Sequence, residues 1–262
     1  MEEQKTDKLI SIVMAAYNAQ RTIRTAIDSV LAQSWTDWEL LVVDDCSTDR
    51  TGEIVSSYGD GRIRLLRAKE NRGAAASRYA GVEAARGEWI AILDSDDAWE
   101  PDKLAAQLDV QRRTHADLVF SGSGFMTAEG ERLDTILHVP ETIGYRALLK
   151  QNVISNSSVL VRRELYLQYS PRRENLHEDY ACWLSLLRAG FRAAGIDRPL
   201  LIYRLSQSSK SSNKFRSARM NWNTLRHVGL GVCASAFYMA FYTVNGLYKH
   251  GALRGEQLRK RA

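Results

Sequence analysis

Short apolar runs recur along the first 120 positions, and most of them stop abruptly at acidic or polar turns. LISIVM (9–14) ends at AAYN, WELLVV (38–43) at DDCSTD, and EWIAIL (88–93) at DSDD. RIRLL (62–66) and DLVFSG (117–122) keep the same rhythm. Between these runs the spacing turns helical. Ile23, Ile27, Val30 and Leu31 line one face. Ser47, Thr48 and Asp49 can cap a helix over about 49–58, and an alanine-rich helix runs from Ala74 to Ala85 before Gly87 ends it. A further helix is expected over about 103–113. Strand alternating with helix at this spacing predicts an α/β fold with a mostly parallel sheet and helices on both faces. Interior parallel strands are buried on both sides, which accounts for runs that are continuously apolar and do not alternate. In such sheets ligands gather at the carboxyl ends of the strands. Asp44-Asp45 and the cluster Asp94, Asp96 and Asp97 both fall at that edge.

The second half is less regular. SSVLVR (157–162) reads as a strand and RPLLIYR (198–204) as a last one. HEDYACWLSLLRAGF (177–191) reads as a helix with Tyr180, Trp183, Leu184 and Leu187 in one stripe, and with Glu178 and Asp179 in its positive first turn. The pattern up to about 205 implies one domain followed by an appendage.

Forty-five per cent apolar residues and only four prolines in 262 exclude a disordered chain. The polar start MEEQKTDK and the brevity of LISIVM give no expectation of a secretory leader. Cys46, Cys182 and Cys233 show no ligand spacing, so a reducing, cytoplasmic setting fits and a zinc site does not. The net charge of +5 hides an asymmetry: from Arg204 onward there are eleven Lys or Arg and a single acidic residue, Glu256. The remainder holds 25 basic and 30 acidic residues. Such a tail suits phosphates, nucleic acid or an anionic bilayer.

Within that tail Val228 to Tyr248 carries no formal charge, long enough to permit a span. Ser235, Thr243, Asn245 and its glycines dilute it, and basic residues flank it. It reads first as an amphipathic or re-entrant element lying in a membrane surface. A packed or dimerising helix pair, which would make a homo-oligomer, and a true span are the alternatives.

Asp94, Ser95, Asp96 and Asp97 offer hard oxygen ligands for Mg²⁺ or Mn²⁺, ions that also bind substrate phosphates; the alternative is an acidic turn capping the next helix. Asp44 and Asp45 can accept from a base imide or a ribose hydroxyl, or simply form a turn. Tyr17 and Asn18 can line the same crevice. Lys69, Arg72 and Arg78 suit an anionic substrate, with a solvated charge run as the bland reading. Glu178 or Asp179 can accept a proton from a hydroxyl nucleophile, or cap the helix. Tyr203, Arg204 and the run QSSKSSNK, with Lys210 and Lys214, can close over a diphosphate, or serve as a linker. Neither GxGxxG nor GxxxxGK[ST] is present, and no nucleophilic triad shows in the spacing.

The order SIVMAAYN, LLVVDDCSTDRT, NRGAAASR, GEWIAILDSDDAWEPDKL and HEDYACWLSLLRAG resembles the family 2 glycosyltransferases, inverting enzymes of the GT-A fold, over about residues 9 to 204. The later YR…S…SSNK run with its basic apolar end resembles the bacterial subgroup that builds surface polysaccharides, among them teichuronic acid and O-antigen transferases. The resemblance implies a catalytic domain over 1–215, with a nucleotide-sugar half over about 9–122, an acceptor half over 123–215, and a membrane-associating tail over 216–262. It assigns Tyr17 and Asp44 to the nucleotide base. Arg72 and Arg78 go to the donor ribose or phosphates, Asp94 with Ser95 to the donor, and Asp96 to the metal. Asp179 becomes the catalytic base, and Arg204 and Lys210 touch the diphosphate. Ala15 stands where many members carry proline, so the donor-contacting turn loses only a stiffening residue.

The activity so implied uses Mn²⁺ or Mg²⁺ and a UDP-sugar, with a glycan or polyprenyl-diphosphate-linked acceptor at the cytoplasmic face of the inner membrane. Two other classes compete. A sugar-phosphate nucleotidyltransferase would carry a glycine-rich basic loop after its first strand, which is missing here. A non-catalytic module binding membrane or nucleic acid leaves both acidic clusters without a purpose. Nucleic acid is not expected, because the most basic part of the tail lacks interleaved aromatics.

Overall fold

The structure is a computed structural model and describes residues 9–205 and 214–241. Strands β1 (Ile10–Ala16), β2 (Trp38–Asp44), β3 (Ile63–Arg67) and β4 (Trp89–Ile92) pair in parallel in the order β3-β2-β1-β4. Helices α1 (Ile23–Leu31), α2 (Thr51–Ser56) and α3 (Ala74–Ala84) connect them. The strand order reverses between β1 and β4, and a crevice opens there because consecutive connections leave to opposite faces. Ala16 pairs with Asp44 in register, and the Leu93 N–H donates to the Val13 carbonyl, so the acidic turns emerge on the same edge.

Alternate residues explain the continuous apolar runs. Ile12, Met14, Leu40, Val42 and Leu93 join one core, with α1 and α2. Val13, Leu41, Ile90 and Ile92 join the other, with α3. All nine of these side chains are fully buried, each contributing about 1.5–3 kcal/mol by transfer from water. Helix α3 comes unusually close to β1: a Cβ on Gly81 would lie 2.5 Å from Val13 Cγ1. Gly81 therefore sets the depth at which α3, and with it Arg78, rides over the sheet.

The sheet continues as β8 (Leu160–Arg162), β6 (Leu118–Met126), β9 (Ala193–Arg204) and the two-residue β5 (Ala98–Trp99), with β7 (Arg132–Leu137) beside β6. β8 runs antiparallel to both β4 and β6, whereas β6 and β9 are parallel. The result is an α/β sheet, mixed in its second half, flanked by α4 (Lys103–Thr114), α5 (Tyr145–Lys150), α6 (Arg163–Tyr169) and α7 (Glu178–Arg188).

Three expected strands have other limits. The strand expected to end at 122 runs on to Met126, following β9 through a register shift near Gly122, where a Cβ would meet two carbonyls at 3.0 Å or less. The strand expected from 157 begins only at Leu160, because Asn156–Ser158 form a 3₁₀ turn beneath the acidic loop. The last strand starts five residues early, at Ala193.

The tail packs back on the domain through α8 (Lys214–His227) and a helical segment over 232–241. The His177 N–H donates to Thr224 Oγ1 at 3.0 Å, which docks α8 beside the start of α7. Among the described residues no helix is long and apolar enough to cross a membrane. The remainder of the apolar stretch 228–248 lies outside the described residues.

Candidate active site

The crevice is laced together by short polar side chains. β1 ends at Ala16, and the chain turns at Asn18, whose φ of 50° is tolerated by asparagine better than by most residues. Asn18 Oδ1 accepts from the Thr48 N–H at 2.8 Å, and the Asn18 N–H donates to Ser47 Oγ at 3.0 Å. The loops after β1 and β2 are thereby joined, and Tyr17 is left half exposed at the rim. Ala15, opposite Val43, lies in the strand below. The turn expected to survive without proline does so through these bonds.

Strand parity separates the two residues of the Asp44-Asp45 pair. Asp44 continues the Leu40 and Val42 side and points toward α2; its Oδ1 accepts from the Ser47 N–H at 2.9 Å. With Arg67, Cys46, Asp49 and Gly52 it lines a cleft of about 270 Å³. Asp45 falls on the α3 side, where its two oxygens accept from the Arg72 and Gly73 N–H groups at 2.9 and 2.8 Å. Asp45, not Asp44, thus holds the loop that brings in Arg72 and Arg78. Strand spacing alone leaves the two aspartates equivalent and the family resemblance picks Asp44 for the base; the parity of β2 separates their surroundings.

The Arg72 guanidinium lies in solvent and pairs with Glu70 at 3.0 Å. Arg78 is different. It is buried on α3, its Nη2 lies 2.7 Å from Asp94 Oδ1, and its Nη1 pairs with Glu178 at the start of α7. Burial opposes its charge, but Asp94 and Glu178 outweigh that and hold it firmly protonated. One guanidinium therefore joins the helix before the acidic turn, the turn itself, and the helix that carries Asp179.

The three aspartates of the turn have separate surroundings. Asp97 is buried and serves as a post: Oδ2 accepts from Ser157 Oγ at 2.7 Å and Oδ1 from the Arg204 N–H at 3.0 Å. Burial, with Asp96 and Asp94 nearby, pushes its carboxyl well above the carboxylate range. Asp94 is neutralised by Arg78, accepts from Asn156 Nδ2 at 3.3 Å, and has its own N–H held by Ser157 Oγ at 3.0 Å. Ser95 is half-buried between them. Neither Asp96 nor Asp97 has a cation paired with its carboxylate among the described residues, but Asp97 is held by Ser157 and the Arg204 N–H while Asp96 is only partly buried. Burial first, and then the charge of Asp94, push its pKa up to about 6.

A carboxylate so disfavoured, with a second acid beside it, fits a hard divalent cation. Among the described residues no group of three His, Cys, Asp or Glu converges. The chain's contribution is then one or two carboxylates, and diphosphate oxygens and water would complete the shell, a common arrangement for Mg²⁺-type ions.

Arg204 lies behind the turn, with its Nε donating to the Asp96 carbonyl at 2.8 Å and its Nη1 to the Ala128 carbonyl at 3.0 Å. It braces the acidic loop, a role the sequence does not announce. Tyr203, next to it, has its hydroxyl pKa pushed up by burial and then by Asp97, Asp96, Asp94 and Asp179. One phenol therefore feels the charge of both the acidic turn and Asp179. Asp179 is half-buried in the first turn of α7. Lys210 lies outside the described residues.

A twisted α/β sheet with a crevice at its switch point, acids after β4, and a second acid on a facing helix is the architecture of a nucleotide-sugar transferase of the GT-A type. Residues 11–164 match Glycosyl transferase family 2, and the chain belongs to that family. It is 39% identical over 222 residues to TuaG of Bacillus subtilis (strain 168), a glycosyltransferase named for teichuronic acid biosynthesis, covering 84% of this chain and 88% of that one. It is 36% identical over 247 residues to WfgD of Escherichia coli, named as a UDP-Glc:alpha-D-GlcNAc-diphosphoundecaprenol beta-1,3-glucosyltransferase, covering 93% and 96%. The fold is similar to that of S. aureus TarS 1-349 in complex with UDP-GlcNAc, with a TM-score of 0.71 at 18% identity over 88% of this chain and 70% of that one.

Proposed function

We propose that this glycosyltransferase moves a sugar from a UDP-sugar to a hydroxyl of a glycan carried on a polyprenyl diphosphate, with inversion at the anomeric carbon, in the building of a bacterial surface polysaccharide. The observation that supports the reading is the pairing of buried Arg78 with both Asp94 in the acidic turn and Glu178 beside Asp179, which ties that turn to the start of α7. The name of WfgD supplies the donor and acceptor class, and that of TuaG the polysaccharide setting. UDP-glucose is the first donor to test, and the cytoplasmic face of the inner membrane is where such an acceptor is met.

Each residue then has a part. Tyr17 presents an exposed aromatic face to the base, and Asp44 accepts from its imide. Asp96, with Asp94 beside it, would hold Mn²⁺ or Mg²⁺, which supplies charge stabilisation for the departing diphosphate. Arg72 lies free to turn from Glu70 toward the donor phosphates, and Lys210 belongs to the segment that follows Arg204. Asp179 takes the proton from the acceptor hydroxyl as that oxygen attacks C1 from the opposite face. The proton moves only as the new bond forms, so the carboxylate acts as a general base. Arg78 keeps Asp94 and the start of α7 in fixed relation, and Arg204 keeps the acidic loop from collapsing.

Incubation with UDP-glucose and a synthetic GlcNAc-diphosphate-lipid, followed by NMR of the product, tests the reading. A β-linked disaccharide with release of UDP supports it. Release of pyrophosphate, or an α linkage, would overturn it.

A further inference from the structure

A helix on a protein surface ordinarily turns its apolar stripe inward and its polar residues to water. The segment 232–241 is apolar on its outward face as well as its inward one. Val232, Cys233, Ala236, Phe237 and Ala240 are its exposed residues, Val232 at 61% and Phe237 at 56%. At 3.6 residues per turn they fall on one face. The fully buried position is a serine, Ser235, while Tyr238 and Met239 pack partly against the core around Trp183. Just upstream, Phe215 on α8 is 91% exposed. It shares the outward face of α8 with Arg219 and Arg226, both exposed.

Cations stand beside the helix and at the turn that leads into it. Lys150 Nζ lies 5.9 Å from the centre of the Phe241 ring. Arg226 donates to the Leu230 carbonyl at the turn leading into the segment. Residues 214–241 hold four Lys or Arg and no acidic residue. An apolar helical face fringed by cations matches the boundary of an anionic bilayer, where aromatic and aliphatic side chains enter the acyl region and cations meet lipid phosphates. A second copy of the chain would bring the same cations against themselves, which is unfavourable.

We infer that the outward face of 232–241 docks on an anionic lipid bilayer. This deepens the proposal of a lipid-linked acceptor and rests on it for its purpose. The docking helix is tied to the catalytic crevice by short contacts. Asn221 Nδ2 donates to Met239 Sδ at 3.2 Å, Asn223 Nδ2 donates to the Asn175 carbonyl at 3.0 Å, and the His177 N–H donates to Thr224 Oγ1. Asp179 follows His177 by two residues, so seating the tail on the bilayer also fixes the height of the base above it.

Flotation of the full chain with phosphatidylglycerol–phosphatidylcholine vesicles, and with phosphatidylcholine vesicles alone, tests the inference. The protein should float with the anionic vesicles and much less with the neutral ones. Phe237→Glu and Ala240→Glu should each reduce that partition by at least about tenfold. Both positions are exposed, so thermal unfolding should be unchanged. An environment-sensitive fluorophore on Cys233, in a Cys46→Ser background, should shift to the blue with anionic vesicles. Undiminished flotation of both variants, or a Cys233 probe indifferent to vesicles, would overturn the inference. So would self-association that Phe237→Glu abolishes in a protein that never floats, since the face would then join copies of the chain. UDP binding by the same variants reports on the donor site alone, so a failed docking face and a failed glycosyltransferase reading remain distinguishable.

Discussion

Arg78 Nη2 and Asp94 Oδ1 lie 2.7 Å apart, and the same guanidinium pairs with Glu178, a hundred residues further along the chain. Three elements that sequence spacing leaves independent are thus held by one side chain. Arg78→Ala leaves two partly buried carboxylates without their partner, and breaking a buried pair in this way costs roughly 3–5 kcal/mol. The residual exposure of Asp94 places the loss toward the lower end. Chemical denaturation should show it, and turnover should fall by about a hundredfold or more as the base and the acidic turn lose register. Arg78→Lys restores charge but not the two-sided fork, so stability should recover further than turnover.

Asp179→Asn removes the proposed proton acceptor without altering size. Turnover with a saturating acceptor should fall by about 10²–10⁴-fold. The thermal midpoint should move little, since Asp179 is partly exposed and it is Glu178 that makes the ion pair. Retained turnover would move the base elsewhere.

Asp96 gives the pH dependence. Its folded pKa, about 6, lies above the ordinary value of 3.8, so the native state holds this proton more tightly than the unfolded chain. The contribution to stability is complete below about pH 4 and is lost as pH rises through about 6. For the metal-free protein, Asp96→Asn should therefore raise the thermal midpoint at pH 7 and leave it nearly unchanged at pH 4. Affinity for Mn²⁺ with UDP should strengthen over the same interval, because the ion competes with the proton. A flat melting profile for both proteins would contradict the assignment.

Gly81 allows a compensating pair. A Cβ there would lie 2.5 Å from Val13 Cγ1, so Gly81→Ala should lift α3 and cost about 1–3 kcal/mol by overpacking. Turnover should drop as well, because Arg78 rides on the same helix. Adding Val13→Ala makes room for the new methyl. The double variant should be more stable than the sum of the single effects and should regain activity, as judged by a double-mutant cycle.

Much of this was legible in the chain. The runs LISIVM, WELLVV and EWIAIL are apolar throughout because both faces of the sheet are covered, and that pattern fixes strands, faces and the edge where the aspartates emerge. The acids at Asp94, Asp96 and Asp179 could be named from motif order. Their individual surroundings could not. Asp97 looks like its neighbours in sequence, and only the return of β9 and the 3₁₀ turn at Ser157 make it a buried post. Glu178 and Asp179 are adjacent, and only the reach of Arg78 shows which one is already occupied. Asp44 and Asp45 are separated by strand parity, which needs the ends of β2 to be known to one residue. Such long-range pairings carry no local signature.

The central claim is that one crevice holds an ion-binding acid and a separate base. Calorimetric titration of UDP into the wild type, Asp96→Asn and Asp179→Asn, each with and without Mn²⁺, tests it most directly. The account predicts that Mn²⁺ tightens UDP binding in the wild type and in Asp179→Asn, and does nothing in Asp96→Asn. Equal tightening in all three proteins, or none in any, would contradict it.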